Sequence, residues 1–244
     1  MARIDFIRRK VAVAFSLRGL LLKAAFLAVL WRVVPFWLFL LVALWLYLSP
    51  LFRPLEMGLP FLLTLCFAGI LPANFWSTAF LGTLFFLILG IKDLILVERE
   101  NAYRVLLFLL FFLIFLNFFS EFNTFERSTA LLSLFAIVVL TFLLLHGFVR
   151  YSRLGSARVG APRRREKLAL GLLAFLVGEI GMALLFVPLN AFYQAALLFL
   201  STVIGTEMMV DRLEERLDHD RILVRFSLFF IFVVCILAAN QWGL

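Results

Sequence analysis

Glu179 is the residue whose type and position most invite chemistry. It sits in Gly178-Glu179-Ile180-Gly181, near the middle of an apolar run from about 168 to 187. A carboxylate at mid-bilayer is expensive, so it is expected to face a bundle interior, carry a proton or find a partner. The flanking glycines would let another backbone come close. Two roles follow: a proton or ligand site, or a protonated carboxyl that hydrogen-bonds a neighbouring helix. Arg18, Lys23 and His146 are its candidate partners. His146 lies four residues before Arg150 and reads as a polar anchor at a membrane interface. Asn117, a further intramembrane polar candidate beside Glu179 and His146, lies near the outer interface with Asn74 and Asn190. The latter two follow Pro72 and Pro188, where Asn caps the next helix.

Charged islands form a second group. From Glu207 to Arg221 the chain leaves an apolar run as a helix, with Val210, Leu213 and Leu217 on one stripe. Glu207, Asp211, Glu214 or Glu215, and Asp218 stack acids on another face. That stack could hold a divalent cation or a basic partner. It also suits a solvated face with local pairs such as Arg216 with Asp220 and Asp218 with Arg221. A metal site wants ligands from more than one element, so no metal is expected. The counterpart stretch holds Lys92, Asp93, Glu98, Arg99, Glu100 and Arg104. The two islands are expected to form partner-docking elbows. A third island, 150–167, carries Arg150, Arg153, Arg158, Arg163, Arg164, Arg165 and Lys167 against Glu166. Arg163, Arg164, Arg165 and Lys167 suit contact with anionic lipid headgroups or an acidic partner.

The elements that position these residues are apolar helices. The 244-residue chain is 65% hydrophobic, with 31 Phe and a mean hydropathy of +1.09. A soluble domain sits near half apolar. The apolar residues fall in long blocks; Val105 to Phe119 are all Phe, Leu, Ile or Val apart from Asn117. The pattern predicts spans near 33–48, 57–71, 74–92, 104–120, 128–150, 168–187, 190–210 and 222–241. A basic N-terminal helix, residues 1–32, either crosses or lies at the interface. Arg18 and Lys23 within it would have to snorkel or pair.

The expected fold is therefore an all-α polytopic membrane protein of about eight to nine transmembrane helices. An internal repeat supports two parallel four-helix halves after the N-terminal helix. Pro72-Ala73-Asn74-Phe75-Trp76 leads through an apolar run to Gly90, a charged stretch and Arg104-Val105-Leu106. Pro188-Leu189-Asn190-Ala191-Phe192 leads likewise to Gly205, a charged stretch and Arg221-Ile222-Leu223. The halves would be 33–120 and 128–244, joined by an outer loop at 121–127.

The net charge of +8 and pI of about 10.2 fit basic residues flanking membrane helices. No basic stretch carries the stacking aromatics of a single-strand binder, so nucleic acid is not expected. The basic 150–167 loop is expected in the cytoplasm. Parity then puts the N-terminus inside and the C-terminus outside, in a bacterial or archaeal cytoplasmic membrane or an organellar inner membrane. Cys66 and Cys235 are expected as small buried apolar residues, with no Cys-x-x-Cys pair.

No nucleophile motif, His-Glu-x-x-His or phosphate-binding glycine loop is present. The expectation is a non-enzymatic membrane subunit or scaffold, without cofactor, that docks protein partners on its charged cytoplasmic face. The alternative is a transporter of a lipid-like solute or proton that uses Glu179. With Cys66 and Cys235 replaced, single cysteines at positions 124 and 158 should react with an impermeant reagent from opposite sides of the membrane. Equal accessibility would reject the parity assignment.

Overall fold

The computed structural model describes residues 2–49, 57–93, 98–122, 127–155, 164–213 and 218–239. Among these the chain is all helical: α1 (Ala2–Val33), α2 (Phe36–Leu48), α3 (Gly58–Ile70), α4 (Phe75–Lys92), α5 (Arg99–Phe122), α6 (Arg127–Gly155), α7 (Arg164–Leu184), α8 (Ala191–Leu213) and α9 (His219–Ala239). Six of them, α4 to α9, contain segments long and apolar enough to cross a membrane. The expected spans at α2 and α3 are helices of 13 residues each. At 1.5 Å per residue that is about 20 Å, short of the roughly 30 Å hydrocarbon core. The chain forms two compact units, residues 1–110 and 111–244, which divide within α5.

In the first unit, α1 runs without interruption until Val34-Pro35 stops it. Proline disfavours helical geometry in the residue before it, and Pro35 itself is extended, with φ −54° and ψ 142°. One stripe of α1 is buried: Leu20, Ala24, Leu27, Ala28 and Trp31. The spacing is that of one helix face. The stripe packs antiparallel along α4, because Lys23 reaches Asp93 at the end of α4 while Ala28 faces Gly82 in its middle. A Cβ on Gly82 would lie 3.3 Å from that of Ala28, so glycine sets this close approach. The Trp31 indole N–H donates to the Ala68 carbonyl at 2.7 Å. Ala68 is in the last turn of α3, whose carbonyls have no partner within the helix. Tyr47 of α2 stacks on Phe61 of α3 at 4.0 Å, and Phe85 of α4 meets Phe61 and Phe39 edge-on.

In the second unit, α6, α7 and α8 pack through glycine. A Cβ on Gly178 would come within 2.5 Å of a Val138 methyl, and one on Gly181 would touch Leu198 and Leu134. Gly205 of α8 faces Leu173 of α7 at the same 2.5 Å. The turn between α7 and α8 is closed by Gln194, whose side-chain amide donates to the carbonyls of Leu184 (2.9 Å) and Val187 (3.0 Å). Helix α9 has no buried residue. It is fastened to α8 near both ends, by Tyr193 Oη donating to the Ala239 carbonyl at 3.2 Å and by Arg225 pairing with acids of α8.

The two Pro-Asn turns behave alike. Asn74 Oδ1 accepts from Ser77 N at 2.7 Å, and Asn190 Oδ1 accepts from Phe192 N at 3.3 Å. Beyond the turns the proposed halves differ: α2 and α3 have 13 residues each, but their counterparts α6 and α7 have 29 and 21. Cys66 and Cys235, expected in the core, are exposed on helix faces.

Two glycine contacts give a discriminating prediction. Gly178→Ala drives a Cβ into β-branched Val138, which has little rotamer freedom, and should lower stability by about 1–3 kcal/mol. Gly205→Ala meets only the flexible end of Leu173 and should be close to neutral. Thermal unfolding in detergent checks both, and Val138→Ala should restore the Gly178→Ala variant.

Candidate functional site

Among the described residues, charged side chains from different helices meet at one place in each unit, both at the end of an apolar helix. The first is built from α1, α2 and α4. Lys92 closes the last turn of α4, where a cation opposes the negative end of the helix dipole. Its side chain is 0% exposed. The ammonium lies 3.4 Å from Asp93 Oδ1 and 5.2 Å from the centre of the Tyr47 ring. It makes no directed hydrogen bond, so the pair and the ring face are what stabilise it. Asp93 Oδ2 is also 3.8 Å from Lys23, which is 42% exposed. One nearly buried carboxylate thus serves two ammonium groups. Lys92 and Asp93 were expected on a docking surface. They lie inside the unit instead, because α1 and α2 cover the end of α4.

The second cluster joins α8 and α9. The Arg225 guanidinium is 2.7 Å from Asp211 and 3.4 Å from Glu207. The Asp211 approach is an ion pair whose angle is poor for a hydrogen bond, while Glu207 accepts one at 3.4 Å. Glu207 and Asp211 are one helical turn apart, so both face the same point on α9. Two acids of the stack read as a docking or cation site, Glu207 and Asp211, share one cation from the neighbouring helix. Asp218 is exposed and accepts from His219 N at 2.7 Å, as a cap on α9. Glu214, Glu215 and Arg163 lie outside the described residues, as does the side chain of Arg165.

Other expected residues are placed singly. Glu98 is exposed and accepts from the Asn101 amide at 2.9 Å at the start of α5. Glu100 lies 3.9 Å from Arg104, one turn on, and Arg99 is half-buried. Arg164 and Lys167 are exposed at the start of α7, around buried Glu166. Asn117 is half-buried, and its carbonyl accepts from Ser120. His146 is half-buried, with its ring parallel to Phe142 at 6.0 Å and a buried Nδ1 that has no hydrogen-bond partner.

Glu179 is turned outward. Its flanking glycines are buried against α6 and α8, so the carboxylate between them points away and is exposed. It makes no hydrogen bond or ion pair with the described residues. Of its candidate partners, Lys23 pairs with Asp93 and Arg18 is exposed on α1. The hydroxyls of Thr64, Thr83, Ser201, Thr202 and Thr206 each donate to a carbonyl one turn back in the same helix. Thr141 Oγ1 is buried without a partner. No three His, Cys, Asp or Glu converge among the described residues in a way that could hold a metal ion.

No protein-family model, curated protein or solved structure matches this chain.

Sequence reasoning passed over Arg225, Tyr47, Trp31 and Gln194. Arg225 had a usable signal: a hairpin folded about residue 216 brings 207 opposite 225, and it brings 193 opposite 239 as well. Tyr47 and Trp31 had none, since their partners are remote in sequence.

The buried cluster makes a stability prediction. Asp93→Asn leaves the Lys92 ammonium buried without its counter-charge and should cost about 3–5 kcal/mol. Adding Lys92→Met, which keeps the volume and removes the charge, should recover most of the loss. Lys23→Met alone should change little, because Lys23 is partly in solvent. Unfolding of the four variants in detergent measures each step.

Proposed function

We propose that this chain is a non-enzymatic integral membrane subunit or scaffold of a larger membrane complex. What carries the reading is where each unit directs its charges. Lys23 with Asp93, and Arg225 with Glu207 and Asp211, tie one helix to another, while Lys92 is buried beside Asp93. Most of the hydroxyls bond their own helices. What is left facing outward is mostly apolar: much of α9, which has no buried residue, and the side of α7 where Glu179 stands among exposed Leu, Phe and Met. Catalysis needs titratable groups that converge on a reacting atom. The titratable groups brought together among the described residues are held in ion pairs between helices or between neighbours.

In this reading α1 enters from the cytoplasm beside the end of α4, and α2 and α3 form a thin hairpin within the bilayer. The Pro-Asn turns of α4 and α8 lie on the outer side and reflect a duplicated four-helix ancestor. Cytoplasmic partners meet the charges that remain exposed, among them Glu98, Glu100, Asp218, Arg164 and Lys167, and the basic 150–167 loop meets anionic lipid.

One observation favours a second reading. An exposed carboxylate within an apolar helix face can take up a proton, which suits transport of a proton or lipid-like solute. Isolation of the intact protein from its native membrane in gentle detergent separates the two. The subunit reading expects another protein at fixed stoichiometry. A lone, monodisperse chain with bound lipid or small molecule would overturn it in favour of transport.

A further inference from the structure

We propose that the outward face of α7 is the contact surface for a membrane-spanning helix of another protein, one that carries an arginine or lysine among apolar residues and offers it to Glu179. The proposal rests on the subunit reading and names the partner's chemistry.

Three observations build it. The first is the face itself. Leu172, Phe175, Leu176 and Met182 are all exposed, at the spacing of one helix side, and Glu179 stands among them. The second is rotation. Gly178 and Gly181 are locked against Val138, Leu134 and Leu198, so α7 cannot turn Glu179 inward without replacing backbone contacts by a collision. The third is depth. Gly181 meets Leu198, seven residues into α8, and Leu173 meets Gly205. Glu179 lies between these levels, five residues or about 7.5 Å before the last residue of α7.

Among the described residues Glu179 has no ion-pair partner. Arg225 is held by Glu207 and Asp211, and His146 stacks on Phe142. A second copy that packed α7 on α7 about a two-fold axis would oppose two carboxylates, which disfavour each other's charge. A guanidinium or ammonium on a foreign helix supplies the missing charge and covers the apolar stripe at the same time. Charge complementarity within an apolar interface gives such a pair specificity as well as affinity.

The test uses the full-length chain in lipid nanodiscs and synthetic Leu/Ala peptides of about 22 residues, with uncharged polar ends and a central arginine, leucine or glutamate. Energy transfer between labels reads association. The arginine peptide should bind about tenfold tighter than the leucine peptide. Glu179→Gln should abolish that advantage, and Glu179→Lys should shift it to the glutamate peptide. Position 179 is exposed, so neither variant threatens the fold. Equal binding of the arginine and leucine peptides, or an advantage that survives Glu179→Gln, overturns the proposal.

A photo-reactive side chain at position 176 in native membranes gives the second readout. The expected adduct is to an apolar segment of a different protein that contains a basic residue. An adduct to a second copy, or to lipid alone, overturns the proposal. So does a stoichiometric partner that crosslinks at the helix ends but not at 176, which would leave the subunit reading standing.

Discussion

A charge taken out of water is tolerated only beside an opposite charge or a set of hydrogen bonds. In a chain that is 65% hydrophobic, that constraint orders the helices more firmly than apolar contact does. One Leu-rich face packs on another in many registers. Lys23 of α1 meets Asp93, and Tyr47 of α2 meets Lys92, in only one. In the second unit, Arg225 selects the register of α9 on α8 in the same way. With no residue of α9 buried, that ion pair and the hydroxyl of Tyr193 at the far end do what packing would otherwise do.

Close backbone approach is the complementary device. Helices in an apolar medium gain nothing from hiding apolar side chains from lipid, so van der Waals fit and small residues decide association. Gly82 admits α1, Gly178 and Gly181 admit α6 and α8, and Gly205 admits Leu173. The same glycines determine which way the intervening residues face. Glu179 points outward because its neighbours must point inward. The intramembrane acid is therefore exposed as a geometric consequence of how α7 is packed.

Much of this was legible in the sequence because its causes are local. Helix positions follow from apolar block length and from Pro72 and Pro188, and the structure's helices agree with the expected spans to within a few residues at most ends. The caps at Asn74 and Asn190 follow from the turn pattern. Lys92 and Asp93 read as surface charges because nothing local shows that α1 and α2 cover them. Glu207 and Asp211 read as a docking stack because their partner lies across a hairpin. Glu179 was identified as the central residue, but the expectation that it faces the interior followed the usual behaviour of intramembrane acids, and here the glycines oppose it.

By itself, the order of amino acids determined the all-helical, apolar class of the protein, the approximate placement of its helices, and the residues that would be costly to leave unpaired. Those properties depend on composition and on neighbours within a turn or two. Only the tertiary structure decided which charges are paired, which helices are too short to reach across a bilayer unaided, and which face of α7 looks outward. Each of these depends on the rotation and register of one helix against another, and a single glycine or one ion pair is enough to set them.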